Sequence, residues 1–168
     1  MNMKISCIYT RYESYYVESI AEVLKKNGHI VNLLFDPQTY DNQSLKCRLR
    51  KLINNKKMIL KHLEYIEKQC PEILLFYIMP NNIQWVRQYA KEVKSHFPQI
   101  HILFVGQYIT TGAKEILSNW YVDFIIQKED ECCILDFIQA IENNISYKDI
   151  LNIGYKEGNN VVINGMGR

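Results

Sequence analysis

Three groups of side chains have the types and spacing that chemistry uses. Glu129-Asp130-Glu131 places three carboxylates in succession. General acid–base work sets such a group against a base or a second, differently tuned acid. None stands nearby in sequence, so capping of a following helix is the simpler reading. Tyr9, Tyr12, Tyr15 and Tyr16 crowd a second stretch. Helical packing accounts for Tyr16, whereas Tyr12 is placed to offer a flat ring to a ligand. The third group is His29, His62, His96 and His101, with Cys7, Cys47, Cys70, Cys132 and Cys133. An odd number of cysteines, two of them adjacent, does not make a disulfide framework, and no Cys-x-x-Cys or Cys–His spacing suggests zinc. The cysteines read as small buried hydrophobes in a reducing cytoplasm. His62 and His96 fall on helices and read as solvated, while His29 and His101 stand at strand starts.

Those groups must be positioned by the elements around them. Residues 5–9 form a short strand-type run, followed by Val17, Ile20, Ala21 and Leu24 at helical spacing up to Gly28. Thr10-x-x-Glu13 predicts a capping box for that helix. Residues 30–35 read as a second strand, stopped by Asp36-Pro37. Residues 44–70 form a long basic helical stretch, with Asn54-Asn55 as a place to break it in two. Residues 73–78 lack alternation, as a strand buried on both faces does. Val86, Tyr89, Ala90, Val93 and Phe97 mark a helix closed by Pro98. A buried strand over 101–105, a helix over 111–119 and a fifth strand over 124–126 follow. Ile134, Ile138 and Ile141 mark a fifth helix that Asp130 would cap. Five strands alternating with helices predict an α/β fold: a doubly wound five-stranded parallel sheet of flavodoxin-like order 2-1-3-4-5. Residues 150–155 and 161–164 then read as a C-terminal β-hairpin extension. The organisation expected is an α/β domain over 1–146 and the hairpin extension over 147–168.

In such a sheet ligands sit beyond the carboxyl ends of the strands, which selects the loops 10–14, 79–82, 106–112 and 127–131. A dinucleotide site needs glycines after the first strand, so that backbone can approach a pyrophosphate. Thr10-Arg11-Tyr12-Glu13-Ser14 has none, which also excludes a P-loop and a small-hydroxyl phosphate loop. The third strand ends in Met79-Pro80-Asn81-Asn82, without the acid that a phospho-receiver needs.

The chain has 168 residues, about one domain. It is 48% hydrophobic and 23% charged with seven Gly and four Pro, which excludes collagen-like and disordered classes. A net charge of +2 argues against bulk nucleic-acid binding. The charge is uneven: residues 44–70 carry eight Lys/Arg against two Glu, and residues 122–149 seven acids against two Lys. No apolar run approaches the roughly 20 residues of a membrane span, and the first residues do not read as a signal peptide. A cytoplasmic chain, off the membrane, is expected.

Taken in order, the loops resemble the cobalamin-binding N-terminal domain of cobalamin-dependent radical SAM enzymes, over essentially the whole length. Gly28-His29-Ile30-Val31 matches that family's Gly-His-x-Val turn, and Pro71-Glu72 its Pro-acid pair before the third strand. Met79-Pro80-Asn81 is similar to its Pro-Asn turn, and Phe97-Pro98 to the helix end that follows. Gly106-Gln107-Tyr108-Ile109-Thr110-Thr111 stands for Gly-Gly-x-x-x-Thr. Residues 122–131 stand for Val-Asp-x-Val-Val-x-Gly-Glu-Gly-Glu, and residues 153–164 for the closing Gly-Leu-x-Tyr-Arg-x-x-Gly segment. The departures are Gln107 for a glycine, and Lys128 and Asp130 for both glycines of Gly-Glu-Gly-Glu. The Asp-x-His-x-x-Gly motif that ligates cobalt in cobalamin-dependent mutases and methionine synthase is absent after the first strand. So is the Cys-x-x-x-Cys-x-x-Cys triad of an iron–sulfur cluster.

The resemblance implies a cobalamin-binding module that positions the corrinoid for a radical SAM catalytic domain not present in this chain. That domain, of methyltransferase or cyclase type, would hold the iron–sulfur cluster and S-adenosylmethionine; no catalytic residue is expected here. Cofactor contacts are expected from Thr10, Arg11, Tyr12, Met79, Pro80, Asn81, Gly106, Gln107, Tyr108, Thr111, Lys128, Glu129 and Glu131. No histidine would reach cobalt, and Tyr12 would lie beneath the corrin. Replacing Gly106 by valine is expected to abolish cobalamin retention and spare the fold. The alternative is a cofactor-less domain of the same fold, acting as a protein docking or regulatory module through its basic residues 44–70.

Overall fold

The unbroken apolar runs occupy the middle of one sheet, where helices cover both faces. The computed structural model describes residues 2–10, 14–36, 45–106, 108–165 and 167, with the backbone alone for residues 45–56. Its elements run β1 (Lys4–Thr10), α1 (Tyr15–Lys26), β2 (Ile30–Asp36), α2 (Leu45–Gln69), β3 (Ile73–Tyr77) and α3 (Ile83–His96). They continue as β4 (His101–Gly106), α4 (Ile109–Leu117), β5 (Phe124–Gln127), α5 (Glu131–Glu142), β6 (Ile153–Glu157) and β7 (Asn160–Ile163). The sheet order is β2-β1-β3-β4-β5-β6-β7. Its first five strands are parallel, in the expected 2-1-3-4-5 order. The hairpin extends the sheet to seven strands, β6 pairing antiparallel with β5 and β7 with β6.

Side chains alternate between the faces. α1 and α5 cover one, setting Val17, Ile20, Leu24, Phe137 and Ile138 against Ile5, Cys7, Leu75, Val105 and Ile126. α2, α3 and α4 cover the other, setting Ile66, Tyr89, Val93 and Ile116 against Ile8, Leu74, Phe76 and Phe104. Phe76 meets Tyr89 and Phe104 edge-on, at centroid distances of 5.4 and 5.6 Å. Burial of each such ring contributes roughly 1.5–3 kcal/mol.

Four local expectations are corrected. Thr10 opens no capping box: it ends β1, fully buried, and strand pairing with Asp36 holds it extended. The N-cap of α1 is Ser14, whose Oγ accepts from the Val17 N–H at 3.4 Å; Glu13 lies outside the described residues. Asn54-Asn55 does not break α2, a single helix of 25 residues. Ile59, Leu63 and Ile66 pin its second half to the core, and packing overrides the modest helix propensity of Asn. His62 is not solvated: it is 8% exposed and stacks on Tyr89, centroid to centroid 5.4 Å. Finally, Cys7 and Cys133 are buried as expected, but Cys70 and Cys132 are exposed, because one follows the end of α2 and the other faces outward on the first turn of α5.

Candidate functional site

β1, β3, β4 and β5 are adjacent and parallel, so their carboxyl ends line one edge of the sheet. Thr10 ends β1. Its buried hydroxyl has no hydrogen-bond partner among the described residues, which costs about 1–3 kcal/mol unless water or a ligand meets it. Arg11, Tyr12 and Gln107 lie outside the described residues.

After β3 the chain turns through Met79, Pro80 and Asn81, with Pro80 and Asn81 exposed. Asn82, absent from the sequence candidates, makes that turn. Its Oδ1 accepts from the Met79 N–H at 2.8 Å, and its Nδ2 donates to the Tyr77 carbonyl at 3.0 Å. The signal was an Asn directly before a helix start, a turn-forming residue type. Gly106 ends β4 with φ +130°. A Cβ there would lie 2.6 Å from the Ile78 carbonyl oxygen and 3.3 Å from Tyr77 Cε2. The missing side chain therefore serves the packing of β4 on β3, which corrects the expectation that valine at 106 spares the fold. Beyond it, Thr111 Oγ1 donates to the Tyr108 carbonyl at 3.0 Å. Among the described residues no side-chain hydrogen bond caps the start of α4, which kinks at Gly112, where φ is −136°.

After β5, Lys128 adopts the left-handed φ of +66° and its Nζ donates to the Gly167 carbonyl at 2.7 Å. Asp130 caps α5: Oδ1 accepts from the Cys133 N–H at 3.0 Å and Oδ2 from Asn152 Nδ2 at 2.9 Å. Asn152 Oδ1 in turn accepts from the Gly167 N–H at 2.9 Å. Lys128 and Asp130, which stand where the resemblance has glycines, are thus bonded within the chain. Glu129 is exposed, and its Oε1 accepts from the Tyr77 hydroxyl at 2.5 Å. Glu131 is half-buried in the first turn of α5. Tyr16 packs on Tyr77 with ring centroids 5.6 Å apart. Burial raises both phenols above the usual tyrosine range, and for Tyr77 the bond to Glu129 adds to the rise. Tyr77 therefore stays a proton donor throughout the neutral range.

The structure brings Thr10, the 79–81 turn, Gly106, Tyr108, Thr111 and the 128–131 loop to one edge, and adds Tyr16, Tyr77 and Asn82. No histidine joins them. His29 precedes β2 and His101 opens β4 at the opposite edge, His96 ends α3, and His62 is buried against α3. Among the described residues no group of three or more His, Cys, Asp or Glu is arranged to hold a metal ion. A groove of about 520 Å³ runs beside the β5–α5 loop, past Asp130, Cys133, Asn152 and Gly167. Another, of about 440 Å³, opens at the amino edge against Cys70, Phe97, Ile100 and His101, away from every turn described above.

By sequence, no protein-family model and no curated protein matches the chain. Among solved structures it is similar to the cobalamin-dependent S-adenosylmethionine radical enzyme OxsB with aqua-cobalamin and S-adenosylmethionine bound. That match has TM-score 0.74 and 11% identity, over 99% of this chain and 22% of OxsB. It is also similar to the radical S-adenosylmethionine methyltransferase TsrM from Kitasatospora setae, with cobalamin and a [4Fe-4S] cluster bound. Here the TM-score is 0.72 and the identity 10%, over 99% of this chain and 29% of TsrM. The chain thus spans less than a third of either protein. At this identity the likeness establishes the fold, a flavodoxin-like α/β sheet ending in an antiparallel hairpin, of the kind found in cobalamin-dependent radical SAM enzymes.

Proposed function

We propose that this chain is a cobalamin-binding module that positions the corrinoid for a radical SAM catalytic barrel. In this reading residues 1–146 form the cofactor domain and residues 147–168 lead toward the barrel, which would carry the iron–sulfur cluster and S-adenosylmethionine. The observation that carries it is the end-to-end likeness to two proteins solved with cobalamin bound. Function does not follow from fold alone, so the fit of the edge to the cofactor matters. A corrin is a wide, flat ring rimmed with amide groups, and the edge offers matching chemistry. Thr10 has a buried hydroxyl with no partner among the described residues, the start of α4 has no side-chain cap, and Asn81 and Glu129 are exposed at turns.

Thr10, the 79–81 turn, Gly106, Tyr108, Thr111, Lys128, Glu129 and Glu131 would hold the cofactor, together with Arg11, Tyr12 and Gln107. When bound, cobalamin supplies the cobalt-centred chemistry, and the protein supplies position and surroundings. With the cofactor bound, the start of α4 would face the ring's carbonyl groups, Glu129 would accept from its amide N–H groups, and the Tyr16–Tyr77 pair would help exclude water. A second reading, a docking module of the same fold without cofactor, is favoured by one observation: Lys128 and Asp130 are already bonded within the chain. Incubation with hydroxocobalamin, desalting and visible absorption separate the two. Near-stoichiometric retention is expected, and a colourless protein would leave only the docking module.

A further inference from the structure

We infer that Tyr77 is a positioning residue for this edge, a strap that ties the β3 turn, the end of β4 and the β5 loop together through one residue. β3, β4 and β5 are neighbours in register, Tyr77 opposite Val105 and Gly106 opposite Gln127. From the end of β3 the Tyr77 ring lies across the bare Cα of Gly106, where a Cβ would come within 3.3 Å of Cε2. Its hydroxyl then reaches past β4 to Glu129 in the β5–α5 loop, donating at 2.5 Å. Its carbonyl accepts from Asn82 Nδ2, and Asn82 Oδ1 accepts from the Met79 N–H. The backbone of Tyr77 thus holds the β3 turn, its ring lies over Gly106 at the end of β4, and its hydroxyl holds the β5 loop. Tyr16, tilted 54° to the ring at 5.6 Å, supports it from α1.

A phenol bonded to a carboxylate is charge-assisted and roughly twice as strong as a neutral pair. Burial raises the Tyr77 phenol above the usual tyrosine range, so it stays a donor throughout the neutral range. Tyr77 need not touch a ligand to matter: it sets the spacing between the turns at 79–82 and 127–131 on which a wide, flat ligand would rest. Preorganisation of that kind appears as affinity, because binding then orders less of the protein. The inference depends on the cobalamin reading only for the ligand.

The test uses the full chain, with hydroxocobalamin as the probe. Tyr77→Phe keeps the ring on Gly106 and Tyr16 and removes the hydroxyl alone. Glu129→Ala removes the acceptor, and Glu129→Gln retains an acceptor oxygen. Tyr77→Phe should weaken binding about tenfold, and Glu129→Ala at least as much because Glu129 also faces the ligand. The double variant should lose no more than Glu129→Ala alone, as expected where Tyr77 acts through that bond. Glu129→Gln should stay within about threefold of the wild type, since a neutral acceptor keeps part of the bond. In the ligand-free chain, amide exchange should quicken in 79–82 and 127–131 together in both Tyr77→Phe and Glu129→Ala, while β3 and β4 remain slow. Wild-type affinity in Tyr77→Phe beside a loss in Glu129→Ala would mean that Glu129 acts through its own contact alone and would overturn the strap. Additive losses in the double variant would overturn it as well. A wild-type chain that holds no cobalamin defeats the cofactor reading alone. Exchange then decides the strap, which stands if both turns loosen together and falls if they do not.

Discussion

Single positions at the carboxyl edge leave little freedom. Gly106→Val would force a side chain onto the Ile78 carbonyl at a φ of +130°. We expect a loss of about 3 kcal/mol, read as a lower urea midpoint, so this substitution reports on folding before it reports on a ligand. Lys128 is held at φ +66°, a conformation that costs a non-glycine residue roughly 1 kcal/mol. Lys128→Gly relieves that cost and gives up the bond to Gly167. Global stability should stay within about 1 kcal/mol, while amide exchange at Gly167 quickens; unchanged exchange there would mean the Lys128 bond does not hold the segment. His62 sets a pH dependence. Burial lowers its pKa, against an opposing pull from Asp36, and burial shifts His101 in the same direction. The unfolded chain then takes up protons that the folded chain resists. Their contribution is whole above about pH 6.5 and is lost as pH falls through the folded values. Urea midpoints should fall between about pH 7 and about pH 5, and His62→Phe, which keeps a ring on Tyr89, should flatten the decline.

At the scale of elements, the sheet is stiffest where both faces are covered. Ile73, Leu74, Leu75 and Phe76 of β3 and Ile102, Leu103, Phe104 and Val105 of β4 are all fully buried, whereas β7 is an outer strand with no fully buried residue. Amide exchange should be slowest in β3 and β4; slower exchange in the β6–β7 hairpin would misplace the core. The start of α5 is a second case. An ordinary N-cap is worth about 1 kcal/mol, but Asp130 also accepts from the buried Asn152 side chain. Asp130→Ala should therefore cost about 2 kcal/mol, measured by urea unfolding, and should loosen the hairpin base along with the helix.

For the whole molecule, the decisive geometry is which edge each group occupies. The candidate turns share the carboxyl edge, His29 and His101 lie at the amino edge, and His62 and His96 belong to α2 and α3. No imidazole of the described chain faces the proposed cofactor. Cobinamide, which lacks the nucleotide base of cobalamin, isolates that point. Electron paramagnetic resonance of its cobalt(II) form on this chain should show no nitrogen splitting of the cobalt lines. A nitrogen triplet would mean that a protein imidazole binds cobalt and would sink this arrangement.

The parallel order 2-1-3-4-5 came from general rules of crossover handedness and doubly wound topology, whereas the apolar runs and their periods by themselves determined the strands, their helices and the closing hairpin. These patterns are local and repeat every two or 3.6 residues, so a linear chain displays them. The resemblance was legible for a related reason: several positions that carry it are conditions of the fold. Gly28 takes φ +91° after α1, and Gly154 leaves no room for a Cβ, which would stand 2.6 Å from Ile125 Cγ1. Asp123 accepts from Lys94 Nζ and the Ile102 N–H, both at 2.7 Å. Such residues announce an architecture more directly than a ligand. Only the tertiary structure decided what the edge is made of. Tyr77 and Glu129 are 52 residues apart in sequence, and Lys128 and Gly167 are 39 apart. The burial of His62 against Tyr89 depends on how α2 meets α3. Contacts between distant positions have no period, and they exist only once the sheet has set its strands side by side.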